Sequence, residues 1–263
     1  MSKLPFIAFT ALAILGLSFT PLQTADNEWK ISYIAFQPGE KLKFTIHFGA
    51  IHAGEATLQI KKEAQNIAGK DHYHVQISGH SYPVFDMFYK VRDVYETYID
   101  KETLLPTLFY REVNEGTYNK KEYYIFNRKE NKVKSGSKMF DVRPGIHDVV
   151  STFYYFRCLD YSKIKPGTFV PVTTFFDEEE FPLGVTYIGK KVIKTKFGKV
   201  RCRVFTPRLI KGRIFVDQSD MTLYVSDDAN QIPVRIESKV FLGYVKADLI
   251  EYSGLKYPFP VGK

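Results

Sequence analysis

From Glu40 to Phe48 (EKLKFTIHF) apolar Leu42, Phe44, Ile46 and Phe48 alternate with Lys41, Lys43, Thr45 and His47, the period-2 mark of a strand with one buried face. Gly49 and Gly54 then bracket a reversal, and Glu55 to Lys61 places Ala56, Leu58 and Ile60 on one side, so a hairpin is predicted. The same rhythm returns at His72–Gly79, where Tyr73, Val75 and Ile77 share a face, and at Val91–Ile99, Leu104–Arg111, Thr117–Phe126 and Lys132–Ser135. After a break it resumes at Phe169–Phe176, Leu183–Ile188, Lys191–Thr195 and Arg201–Pro207. It closes in a meander over Met221–Tyr252, with Asp227, Asp228 and Asn230 at one turn and Gly243 at the next.

Two stretches break the alternation. Tyr82–Tyr89 (YPVFDMFY) is densely apolar, and Pro83 suits a first helical turn, which predicts a short helix or packed corner. Asp148–Cys158 (DVVSTFYYFRC) has helical spacing at Val149, Val150, Phe153, Tyr154 and Arg157, with Asp148 at the positive end of the helix dipole. It is expected to pack on the sheet through Val149, Val150 and Phe153. The whole predicts an all-β, mainly antiparallel fold, an open barrel or β-spiral of about fourteen strands with two short helices packed on it. No linker divides it, so residues 26–263 are expected to form a single β domain.

Composition supports that class: 44% of residues are hydrophobic and 16% aromatic, with 22 Phe and 18 Tyr against one Trp. The formal charge of +8 is spread over scattered pairs such as Lys61–Lys62, Lys120–Lys121 and Lys190–Lys191. It forms no basic run, so nucleic acid is not an expected partner. The first residues change the picture more. A positive Met1–Lys3 and an apolar Leu4–Phe19, ending at Pro21, read as a signal peptide over residues 1–25, with cleavage after Ala25. No cysteine follows for an acyl anchor, and no later run is long enough for a membrane span, so a soluble periplasmic product is expected. In that oxidising setting Cys158 and Cys202 are open to a disulfide, or equally to being two buried thiols.

The search for chemistry returns little. His72 and His74 share a strand face to which His80 could add, opposite Tyr73 and expected to be solvated, and no Cys or Glu pattern joins them. Asp177–Glu180 (DEEE) reads as a solvated hairpin loop, and Ser151 lies in the helix without a nucleophile elbow. No catalytic residue, metal site or cofactor is assigned, and a non-enzymatic role is favoured. If the sheet encloses a cavity, the residues that would line it are Phe44, Ile46, Phe48, Phe153, Ile236 and Val240. They would bind a lipid-like or other amphipathic ligand, or a partner such as an anionic envelope component. The alternative is an envelope hydrolase or transferase acting on glycan or peptidoglycan.

Four blocks, GEKLKFTIHFGAIHAGEATLQI, HDVVSTFYYFR, GKVRCRVFTP and LYVSDDANQIPVRIESKVFLGYVKADL, resemble in sequence and order the exported bacterial family catalogued as domain of unknown function 3108. Tyr224 stands where many relatives have Trp. The resemblance implies a mainly β envelope protein of Gram-negative type with no established activity. By fold analogy it also implies kinship with lipoprotein-carrier-like open barrels whose helices lie over an apolar cavity.

Overall fold

The computed structural model describes residues 29–208, 221–240 and 243–260; the signal peptide expected over 1–25 lies outside them. Before the longer helix the strands are β1 (Lys41–Phe48), β2 (Ile51–Ile60), β3 (Gln65–Ile67), β4 (Lys70–Ser81), β5 (Arg92–Asp100), β6 (Pro106–Glu115), β7 (Tyr118–Asn127), β8 (Lys132–Ser135) and β9 (Lys138–Asp141). After it come β10 (Phe169–Phe176), β11 (Glu179–Thr195), β12 (Gly198–Pro207), β13 (Met221–Ser226), β14 (Pro233–Val240) and β15 (Gly243–Ser253). The helices are α1 (Pro83–Asp86) and α2 (Val149–Arg157).

All named strands join one antiparallel sheet in the order β10 to β15, then β1, β2, β4 and onward to β9, with β3 beside β4. The edge strands β9 and β10 are not paired with each other, so the barrel-like sheet is open. The expected class therefore holds, and the strand differences have local causes. β3 and β9 are hairpin arms of three and four residues, too short for a face to show as alternation. Leu183–Ile188 and Lys191–Thr195 fuse into the 17-residue β11, whose register against β12 shifts at Gly189, where φ is +146°. Pro106 opens β6, where the ladder needs no donor from it.

The sheet curls around α2, which touches β5 on one wing and β10 on the other. The segment entering α2 covers the free edge of β10: Phe175 donates its N–H to the His147 carbonyl at 2.7 Å, and His147 donates to Thr173 at 2.9 Å. Between the wings runs a chain of rings, Phe109 on Tyr124 at 5.3 Å and Tyr124 on Phe175 at 5.0 Å, while Phe36 meets Tyr154 of α2 edge-on at 4.9 Å. The hollow of these wings is thus packed with side chains.

Because both wings press on it, α2 is buried on more than one side, and this corrects the expected contact face. Val149 and Val150 are buried as predicted, but Phe153 is only half-buried, and Tyr154 and Arg157 are buried instead. Asp148 caps the helix, accepting from the N–H groups of Val150 and Ser151 at 2.8 Å each, and the Ser151 hydroxyl accepts from the Asp148 N–H at 3.0 Å.

Candidate functional site

The residues expected to line a cavity fall into separate apolar clusters. Phe44 packs with Leu42, Ile232 and Leu249, under a lid of Tyr252, Phe197 and Phe259. Ile46 packs with Ala53 and Val245, and Phe48 lies at that cluster's margin. Phe153 leans on the central cluster around α2, and Ile236 is half-buried on β14. The side chain of Val240 lies outside the described residues.

The candidate chemistry resolves into structural roles. His72 is not solvated as expected: it is buried, with Nδ1 2.9 Å from the Lys70 carbonyl and Nε2 2.8 Å from the Thr107 hydroxyl of β6. His74 stacks on Tyr98 at 4.5 Å and meets Glu96 at 3.2 Å. Among the described residues no group of three or more His, Cys, Asp or Glu side chains could hold a metal ion. Ser151 and His147 come within 3.2 Å, the distance of a nucleophile and its base, but both are buried and belong to the helix cap. Cys158 and Cys202 are both free, buried thiols, and burial pushes Cys202 up to about 12.

Two buried arginines organise what remains. Arg157 donates to both oxygens of Glu40, at 2.6 and 2.8 Å, and to the Asn230 carbonyl at 3.0 Å. Gln231 closes the knot by donating to the Arg157 carbonyl at 2.7 Å. Three of the sequence blocks that carry the family likeness therefore meet at one guanidinium. The signal was present in the sequence, since an arginine on the apolar stripe of a helix demands a buried counter-ion.

The second arginine faces an opening. Asp177 and Glu178 form the two-residue turn between β10 and β11, with φ of +50° and +63°, the left-handed pair that a type I′ hairpin requires. Their side chains fold back instead of pointing into water. Asp177 pairs with Arg111 of β6, and with Lys120 of β7 at 2.5 Å; Arg111 also pairs with Glu122, and its guanidinium lies 4.0 Å over the Phe176 ring. Glu178 accepts from the Ser135 hydroxyl at 2.9 Å and from Lys138 at 2.6 Å. Burial pulls the Lys120 ammonium down, but its bonds to Asp177 and Glu122 outweigh that and leave its pKa raised.

This hairpin walls a cleft of about 820 Å³ that runs over β6, β7 and the β8–β9 turn. Tyr110 stands opposite Tyr123, and Ile125 opposite Lys134, so cross-strand register places a tyrosine pair beside an apolar and cationic pair. Four lysines, Lys120, Lys121, Lys134 and Lys138, face three carboxylates, Glu122, Asp177 and Glu178. Tyr123 is 44% exposed, and no carboxylate lies within 4.0 Å of Lys134 among the described residues. Of these residues the sequence singled out only the acidic loop and the Lys120–Lys121 pair, and neither as part of a cleft, because only the pairing of strands brings them together.

The chain belongs to the family described as protein of unknown function DUF3108, which matches residues 43–250. Its fold is similar to that of a β-barrel-like protein of domain of unknown function DUF1849 from Brucella abortus, with a TM-score of 0.51, 10% identity, and coverage of 83% of this chain and 98% of that one. A more distant likeness, TM-score 0.38 at 10% identity over 84% of this chain and 98% of the other, is to a protein of Parabacteroides distasonis put forward as a lipoprotein. No curated protein matches the chain.

Proposed function

We propose that this member of the DUF3108 family is an exported, non-catalytic protein of the periplasm whose cleft over β6, β7 and β8 binds an anionic glycan of the envelope. The leader-like residues 1–25 support export. The cleft carries the binding reading: exposed Tyr123, paired with half-buried Tyr110, lies beside Lys134, next to a hairpin pinned by four ion pairs and hydrogen bonds. Ring faces pack on the apolar sides of sugars, ammonium groups take carboxylate or phosphate, and the ordered carboxylates of Glu178 and Asp177 accept from hydroxyls. Such charge-dependent binding weakens as salt rises.

Glu122 and Asp177 on the same wall supply the paired carboxylates of the hydrolase alternative, but both are held by Arg111 and Lys120, at 2.8 Å for Glu122 on Lys120. The test is calorimetric titration of the chain from Asp26 onward with polygalacturonate and with soluble peptidoglycan fragments. Binding that falls at least about tenfold in Tyr123→Ala and in Lys134→Ala, with unfolding midpoints unchanged, is expected. Absence of binding by the parent chain, or equal binding by the variants, would overturn the reading. Turnover of the peptidoglycan fragments that disappears in Glu122→Gln would replace it with the hydrolase.

A further inference from the structure

One end of the sheet carries an apolar surface that the described residues leave uncovered. Val84, Met87 and Phe88, on and just after α1, are 74%, 83% and 81% exposed, values far outside those of a packed corner. The turns around them continue the surface. Ile51 and Tyr244, 56% and 55% exposed, meet where Gly49 donates its N–H to the Tyr244 carbonyl at 3.1 Å. Tyr118 follows the β6–β7 turn, whose Gly116 donates to the Lys90 carbonyl at 2.8 Å and lies against the Tyr89 ring.

The protrusion is held rigidly. Phe85 and Tyr89 point the other way and pack with Ile46, Ala53 and Val245. Asp86 is clamped by Arg92 at 2.6 Å and by the Ser81 hydroxyl, which fixes the corner to the ends of β4 and β5. Asp86 and Arg92 thus neutralise each other, as do Glu55 and Lys43 at 2.8 Å. Exposed Lys90 and Lys239, the latter paired in register with Tyr244, have no carboxylate within 4.0 Å among the described residues. The end of the sheet is therefore an apolar point with a cationic margin.

We infer that this end docks on the surface of an anionic phospholipid bilayer, with Met87 and Phe88 entering the acyl boundary. The shape favours lipid over a protein partner, because residues from four separate turns make a raised end, and a bilayer receives such a point without a matching socket. The chemistry agrees: apolar residues at the apex, tyrosines with polar tips beside them, and lysines placed to reach headgroup phosphates. The inference stands on residues distinct from the glycan cleft.

Co-flotation with vesicles of phosphatidylethanolamine and phosphatidylglycerol tests it. The chain from Asp26 onward should float with these vesicles and much less with phosphatidylcholine alone. Met87→Ser combined with Phe88→Ser should reduce partition at least about tenfold. Lys90→Glu with Lys239→Glu should abolish the preference for phosphatidylglycerol, while Ile188→Ser with Val192→Ser, exposed apolar positions on β11, and Tyr123→Ala should change nothing. A Phe88→Trp variant should show a blue-shifted emission on adding the anionic vesicles, a readout that needs no loss of function. Failure of the parent chain to float, equal flotation of the apex variant, or an unmoved Trp emission would each overturn the inference. So would sedimentation showing a dimer abolished by the apex substitutions, which would assign the surface to a second copy of the chain.

Discussion

Arg157 and Arg111 are withdrawn from water to the same degree, with side chains 2% and 3% exposed, yet the number of their charged partners and the access of those partners to solvent differ. Arg157 has one carboxylate, Glu40, which is as buried as itself, and rings of Phe36, Phe153 and Tyr154 within 5.8 Å. Burial opposes its charge and the contact with Glu40 more than restores it, so its pKa stands above the usual value. Arg111 has two carboxylates, Glu122 and Asp177, shared with Lys120, which reaches the cleft. A sealed neutral pair ties distant segments together, whereas an open cluster of four charges places a loop and leaves cations at the surface. Burial alone does not distinguish a fold determinant from a binding wall; the connection to solvent does.

The largest expected effect separates the two directly. Glu40→Gln leaves the Arg157 cation buried without its counter-ion and should cost about 3 to 5 kcal/mol in urea unfolding. A cost below about 1 kcal/mol would mean that water reaches Arg157, and the contrast would collapse. The sealed region also holds two groups whose charged forms burial opposes. His147, beside Arg128, is kept neutral with its pKa lowered by burial to about 3 from 6.5, so the unfolded chain takes up a proton that the folded one refuses, and stability falls as pH drops from 6.5 towards 3. Asp148 is raised by burial to about 6 from 3.8, so the folded chain takes up a proton first, and stability rises as pH drops from 6 towards 3.8. Between about pH 4 and 6 the two contributions cancel. Asp148→Asn should uncover the histidine term, with stability falling by about 1.4 kcal/mol per pH unit on acidification through that window, read from unfolding at successive pH values. A profile parallel to that of the parent would show that His147 is solvated.

Smaller effects belong to the open cluster. Asp177→Asn should cost about 1 kcal/mol, because Glu122 still pairs with Arg111 and water replaces part of what is lost. A penalty equal to that of Glu40→Gln would make the hairpin as structural as the helix knot. Lys134→Ala should change the unfolding free energy by less than about 0.5 kcal/mol, so its measurable effect should be on ligand alone.

The sheet was legible wherever one face is buried over a long run, as in β1, where Leu42, Phe44 and Ile46 are all withdrawn from water. His72 was misread because its burial depends on Thr107, 35 residues away, which no local period records. Phe153 and Tyr154 exchanged rank because the spacing fixes a helix stripe but not how many wings of the sheet press on it. The acidic loop was legible as a turn from its place between Phe176 and Phe181. Its partners, Arg111, Lys120, Ser135 and Lys138, come from strands whose register only folding sets. The cleft was invisible for the same reason.

The strand order β10 to β15 followed by β1 to β9 is the order of the sequence cut once and rejoined. Nearly every ladder is a hairpin between neighbours, and the β1–β15 ladder, from Lys41 against Ser253 to Phe48 against Val245, is the long-range exception. Loop-closure entropy therefore concentrates in a single step of the folding reaction. Until β15 has been synthesised, the outer edge of β1 is an unpaired apolar strand, open to addition by any other extended chain. A circular permutant that opens in the exposed loop 162–167 after α2, and links the segment after β15 to the segment before β1, would make that ladder local, so its refolding should be faster.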